Sequence, residues 1–203
     1  MRLRILIVGL LVGCATGEPF SDASGSWCPP GQQRKTWDLG SVVTLACETD
    51  PGVLVGAAFT WDKETARPSS LVDFDGMGKL HGRTLTWHKN GRLWSEGEYF
   101  HGSQEGEMRM WHENGTLAVS AQYSNDQLEG AWIQWRPDGQ LHLLRHLQHG
   151  KRNGPFFVWH ENGRVKTMGY FSQGEESGEW KHWRADGTPD PEAAKDQMPA
   201  AIE

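Results

Sequence analysis

The chain is poor in the usual ingredients of a globular core. Only 37% of its 203 residues are hydrophobic, against roughly 45–50% for ordinary domains, a range that also counts glycine. A large aliphatic core is not expected. No apolar run reaches the ~20 residues of a membrane-spanning helix. Lys and Arg number 20 against 26 Asp and Glu, a net charge of −6, so the basic footprint of a nucleic-acid binder is missing. Catalytic signatures are missing too: there is no GxSxG, no HExxH and no P-loop. No CxxC pair suggests a metal or redox centre.

Two residue types are abundant instead, with 25 Gly and 11 Trp. Gly at that level suggests linkers or disorder, but disordered chains are poor in aromatics. Together they suggest a turn-dense fold with aromatic packing, mostly β and repetitive.

The N-terminus reads as an address. Arg2 and Arg4 precede the apolar stretch Ile5–Gly13, too short by about half to span a membrane. Leu11-Val12-Gly13-Cys14 resembles the bacterial lipobox. That resemblance implies acylation of Cys14 as the first mature residue, with residues 1–13 a lipoprotein signal peptide. Ala15 follows rather than an Asp retention signal, which favours the outer membrane, with the body facing periplasm or outside. Two or three acyl chains anchor stably where one does not. Residues 14–27, small and polar, read as a tether. Three Cys would be an awkward number in an exported protein; with Cys14 lipidated, Cys28 and Cys47 remain as a pair. In an oxidising compartment a disulfide is the default, contributing roughly 3 kcal/mol on chain-entropy grounds; two free thiols or half of a metal site are the alternatives.

The middle of the chain repeats. Gly82, Gly106, Gly130, Gly154 and Gly178 recur every 24 residues, as do Trp87, Trp111, Trp135, Trp159 and Trp183. Gly91, Gly115, Gly139, Gly163 and Gly187 keep the same step, each preceded by Asn or Asp. Asn-Gly and Asp-Gly are strong hairpin signals, and type I′ turns are expected at them. Strands are expected on either side, such as 106–111 and 117–123. Leu117, Val119, Ala121 and Tyr123 alternate and so share a face. Equivalent places hold Leu93, Ser95, Gly97 and Tyr99, and Val165, Thr167, Gly169 and Phe171. The small third residue leaves room for a neighbouring ring. Arg145 breaks that rule, and a local adjustment is expected there. A Gly-rich link, residues 102–106, leads into the next hairpin. Helix is the rival reading, and Gly about every ten residues argues against it. The expected fold is all-β: an elongated meander or solenoid of stacked 24-residue hairpins with a disulfide-linked N-terminal cap.

The pattern G-x-[W/F/M]-x-x-W-x-x-[ND]-G-x-L, then Y-x-x-G-x-x-x-G, resembles the variant form of the MORN repeat. Gly130-Ala-Trp132-Ile-Gln-Trp135-Arg-Pro-Asp-Gly139-Gln-Leu141 carries it well. The resemblance spans 78–187, roughly half the chain. It implies β-hairpin arrays that act as scaffolds and binding surfaces, and some bacterial members are named antitoxins or immunity proteins.

The flanks depart from the frame. Strands are expected over 42–47 and 53–61, within an N-terminal cap at 28–77 that includes a degenerate repeat. Residues 188–203 are read as a tail or as a short helix over Ala193–Met198, with Asp190 and Pro191 suited to its start.

The nine His invite a metal hypothesis. His88, His112 and His160 share one frame position, with Arg136 and Arg184 in the other units. Equivalent residues of successive hairpins lie ~9–10 Å apart, too far to share one ion. His142, His146 and His149 fall on one strand but not on one face. Neither set is expected to bind metal. Of the acidic residues, a glycosidase-like pair is not singled out. The recurrent Trp column is read as a packing spine with the Gly as turn formers. The aromatics that vary between units, Trp94, Phe100, Trp132, Phe157 and Trp180, are the candidate partner-binding residues. The expectation is a non-catalytic, cofactor-free envelope protein, lipid-anchored, whose array binds a protein partner. A toxin-neutralising immunity protein and a peptidoglycan or glycan binder are the alternatives. No nucleic acid and no small-molecule substrate are expected.

Overall fold

The computed structural model describes Cys28 and residues 31–49 and 52–193. The signal peptide, Cys14, the tether and all but the first residue of the C-terminal helix candidate lie outside the described residues. Thirteen strands follow one another in a single antiparallel sheet, paired in strict chain order. The first four are β1 (Gln33–Asp38), β2 (Val42–Glu48), β3 (Leu54–Asp62) and β4 (Pro68–Phe74). Five more are β5 (Gly82–Trp87), β6 (Leu93–Phe100), β7 (Ser103–Trp111), β8 (Leu117–Ser124) and β9 (Gln127–Trp135). The last are β10 (Leu141–Gln148), β11 (Lys151–Trp159), β12 (Val165–Ser172) and β13 (Glu175–His182). At 4.7–4.9 Å per strand the sheet runs roughly 55–60 Å in the hydrogen-bonding direction.

The 24-residue period is one hairpin, and its framework glycines have a structural address. Gly82 pairs with Tyr99, Gly106 with Tyr123, Gly130 with Leu147 and Gly154 with Phe171. Between Glu96 and Glu98, β7 passes four residues, from Glu105 to Arg109, against two on β6. The same irregularity recurs at β8–β9, β10–β11 and β12–β13. Gly106, with φ 76°, sits inside that bulge, where a side chain would be strained.

The type I′ turns expected at the Asn-Gly and Asp-Gly corners are not found there. At the Asn-Gly corners only the glycine takes positive φ, as in Gly115 at 88°. Gly115 N–H donates to the His112 carbonyl, and His112 N–H to the Thr116 carbonyl. That is a type I turn closed by a left-handed glycine, the usual solution for three-residue loops. The cause is the register shift beside Trp111, which pairs with Leu117 while Met110 pairs with Val119. The extra residue makes the loop too long for type I′. The two-residue turns with both φ positive lie at the opposite edge: His101-Gly102 (50°, 96°), Asn125-Asp126 (50°, 65°), His149-Gly150 (51°, 74°) and Gln173-Gly174 (55°, 97°). The Gly-rich link is therefore not a linker, because its residues from Ser103 onward already belong to β7.

Among the described residues the sheet carries no second layer, and burial is concentrated in two places. At the N-terminal end Cys28, Cys47 and Val55 form a buried cluster with Val53 packed against it. Cys28 and Cys47 are disulfide-bonded. Within the repeats Ala121, Leu147, Phe156 and Phe171 are buried. Phe156, Phe171 and Trp180 make a ring cluster with centroids 5.1–5.5 Å apart. A Cβ at Gly169 would collide with the Trp180 ring, so the small third residue does receive a neighbour's ring there. In the preceding unit Arg145 lays its guanidinium 4.4 Å over the Trp132 ring. That stacking is the local adjustment at the position where the small residue is replaced.

Candidate functional site

One edge of the array is stitched from unit to unit. The Nε2 atoms of His88, His112 and His160 donate to the carbonyls of Trp111, Trp135 and Trp183 at 2.7, 2.9 and 2.7 Å. Where the frame substitutes Arg136, its guanidinium donates to the Trp159 carbonyl at 2.7 Å. Asn90, Asn114 and Asn162 donate through Nδ2 to Glu113, Pro137 and Ala185 carbonyls of the following corner. Their Oδ1 atoms meanwhile accept from the backbone N–H two residues on. The histidine ladder is thus committed to main-chain hydrogen bonds. The Trp column, half-buried along its length, supplies the acceptors.

The opposite edge is stitched by main chain. Gly102 N–H donates to Leu80, Asp126 to Gln104, Gly150 to Leu128 and Gly174 to Arg152. A side chain beside each turn accepts a second bond. Glu105 takes Asn125 N–H at 2.8 Å, Glu129 takes His149 N–H at 2.6 Å, and Asn153 takes Gln173 N–H at 3.3 Å.

The five varying aromatics separate by environment. Trp94 and Phe100 are 45% and 58% exposed. Both lie on β6 six residues apart, hence on one face and roughly 20 Å from each other. Trp132 lies under Arg145, and Trp180 lies in the Phe156–Phe171 cluster. Phe157 stacks on Trp159 with centroids 5.7 Å apart. The structure therefore places two of the five outward together and three within the packing of β9–β13. Between Trp94 and Phe100 the same face carries Glu96, paired with Arg83 at 2.7 Å, and Glu98, directly opposite Glu105. Glu107 is paired with Arg109, and that guanidinium holds its carboxyl below the usual value.

His142, His146 and His149 do not converge on a shared centre. His142 borders an open depression of about 450 Å³ with Arg136, Trp159, His160 and Lys166. Burial first, then the charges of Arg136 and Lys166, pushes its pKa down. His149 is exposed, 3.6 Å from Glu129.

One group escapes a reading by repeat frame. Among the described residues, Asp75, His81 and His101 bring three potential ligand atoms within 4.8 Å of one another. Asp75 lies in the loop after β4, His81 just before β5 and His101 in the β6–β7 turn. His101 Nδ1 and Asp75 Oδ2 are 2.7 Å apart. That hydrogen bond first, then the N–H groups of Lys79 and Met77, lowers the Asp75 pKa to about 2. Neighbouring Asp73 is pushed the other way by burial. Asp75 lies ahead of the repeat block that starts at residue 78, so periodicity could not associate it with the two histidines.

Fold and edges together define a class: an open antiparallel array of hairpin repeats. The comparisons with known proteins agree for part of it. The description of the MORN repeat variant matches residues 80–101 and 104–125, the hairpins β5–β6 and β7–β8. No curated protein matches the chain. Repeats of this kind are often protein- or membrane-interaction modules and are generally non-enzymatic.

Proposed function

We propose that this protein is a lipid-anchored envelope component whose hairpin array docks a protein partner through the β6 face, without catalysing a reaction. The observation that carries the reading is the pair Trp94 and Phe100. Each has a histidine ring beside it yet stays about half exposed on an open sheet, and aromatics dominate the energetic centres of interfaces. Glu98 opposite Glu105 adds like charges across neighbouring strands, which is unfavourable for folding alone. The same arrangement suits a partner with a basic face. Cys14 supplies the anchor on this reading.

The test is crosslinking in the native envelope with the wild type and with a Trp94→Ala, Phe100→Ala double variant. The reading expects one protein adduct, lost in the variant while far-UV circular dichroism is unchanged. An adduct of equal yield in both would place the partner elsewhere and overturn the docking face. Mass spectrometry of the N-terminal peptide tests the anchor separately, and an unacylated Cys14 would remove it.

A further inference from the structure

We propose that Asp75, His81 and His101 form a mononuclear site for a divalent transition metal of the zinc type, at the seam between the N-terminal strands and the first full repeat.

The carboxylate is already oriented. Asp75 Oδ1 accepts the N–H groups of Met77 and Lys79, both at 2.9 Å, leaving Oδ2 directed at His101. Outer hydrogen bonds of this kind fix ligand geometry in metal sites. Zinc bonds of ~2.0–2.2 Å to N and O put tetrahedral ligand atoms about 3.4 Å apart. Ligand atoms already within 4.8 Å reach that spacing by side-chain rotation, the ion replacing the proton between Asp75 and His101. Two imidazoles and one carboxylate suit zinc, nickel or copper and not calcium or magnesium, which favour all-oxygen shells. The His81 and His101 rings lie 4.8 Å apart, with the Phe100 ring 5.1 and 4.4 Å from them. His101 is half exposed, so the ion has a route in and a coordination position open to water.

The later repeats show that packing does not require these histidines. The role filled by Glu105, Glu129 and Asn153, accepting a turn N–H, falls in the first repeat to His81, whose Nδ1 accepts from His101 N–H at 3.4 Å, a longer bond than the other three. The turn position of His101 is held by Asn125, His149 and Gln173 elsewhere. Two histidines coincide only in the first repeat, beside the loop that carries Asp75. The seam also has the least pairing of the sheet. β4 and β5 share only Ser70↔Thr86 and Leu71↔Leu85, with an isolated Phe74↔Leu80 bridge. An ion held from both sides would staple it, and binding to the folded state alone stabilises that state.

The variant His81→Asn, His101→Gln copies Asn153 and Gln173 of the fourth repeat, so it keeps the turn, including the positive φ that Gln173 adopts. Full-length protein is titrated with Zn²⁺ against a chromophoric chelator and melted with and without the ion. The expected result is one zinc per chain, bound more weakly by the variant by more than the roughly 100-fold that loss of an outer-shell partner alone can cost, since both imidazole ligands are gone, and a zinc-dependent rise in melting midpoint in the wild type only. His149→Gln should bind like the wild type, and excess Ca²⁺ should not compete. No zinc uptake by the wild type, or equal uptake by the double variant, overturns the site.

Discussion

Around β2 and β3 the chain buries Leu45, Ala46, Cys47, Val55, Ala58 and Phe59 within two adjacent strands, and a disulfide ties β2 through Cys47 to Cys28 ahead of β1. Across the nine strands from β5 to β13 it buries only Ala121, Leu147, Phe156 and Phe171 among apolar side chains. The same sheet is thus held in two ways. The N-terminal strands use burial and a covalent closure. The repeats use short-range stitching, in which each corner is hydrogen-bonded to the next by a His or Arg, joined by an Asn except where Asp138 takes its place. A single layer cannot remove much apolar surface from water, so polar contacts that need no second layer take over. Such contacts reach only the adjacent unit, and damage in the array should stay local.

The largest expected effect comes from the one place where the array imitates a core. Phe171→Ala opens the Phe156–Phe171–Trp180 cluster and should cost about 3–5 kcal/mol, read by chemical denaturation. Amide exchange should speed up in β11–β13 and stay slow in β2–β3. If protection fell equally in both regions, the contrast between them would be lost.

Next comes the disulfide. Replacing Cys28 and Cys47 together by Ser should cost roughly 3 kcal/mol and loosen β1–β3, while protection of β7–β12 is retained. Loss of protection throughout would show that the array depends on its N-terminal end.

A single clasp is worth less. His112→Ala removes one hydrogen bond to the Trp135 carbonyl and should cost about 1 kcal/mol, with faster exchange confined to the two corners it joins. His112→Arg should recover part of it, because Arg136 performs the same task one unit on.

The smallest expected effect is electrostatic. Glu48 is buried and bonded to Lys35 and the Gly52 N–H, and these partners, Lys35 first, hold its pKa below the ordinary 4.5. A carboxylate with a lowered folded-state pKa contributes stability that is complete above its unfolded value and lost as pH falls through the lowered one. The N-terminal strands should therefore weaken below about pH 4.5, more than in a Glu48→Gln variant. Equal acid sensitivity in the two proteins would remove Glu48 from the account.

Much of this fold is legible in the chain because a repeat reports the same local rule five times. The strand pairs around Trp111 and Trp135, the shared face of Leu117 to Tyr123 and the disulfide follow from period, alternation and cysteine count. The turn types do not, since a single register shift at Trp111 lengthens the corner by one residue. Nor does the role of the histidines. His112 meets Trp135 of the next repeat, two strands away, and its target is a backbone carbonyl that no residue pattern marks. The varying aromatics behave alike in sequence, yet Gly169 and Arg145 draw Trp180 and Trp132 into packing while β6 leaves Trp94 and Phe100 outside.

What the sequence determined by itself is the hairpin unit, its length and its all-β character, because turn chemistry and side-chain alternation act over a few residues. What the tertiary structure alone decided is which side chains the stacking consumes and which it leaves over. Adjacent units meet at distances that depend on every bulge between them, so Asp75, His81 and His101 become neighbours only once the sheet has closed the seam.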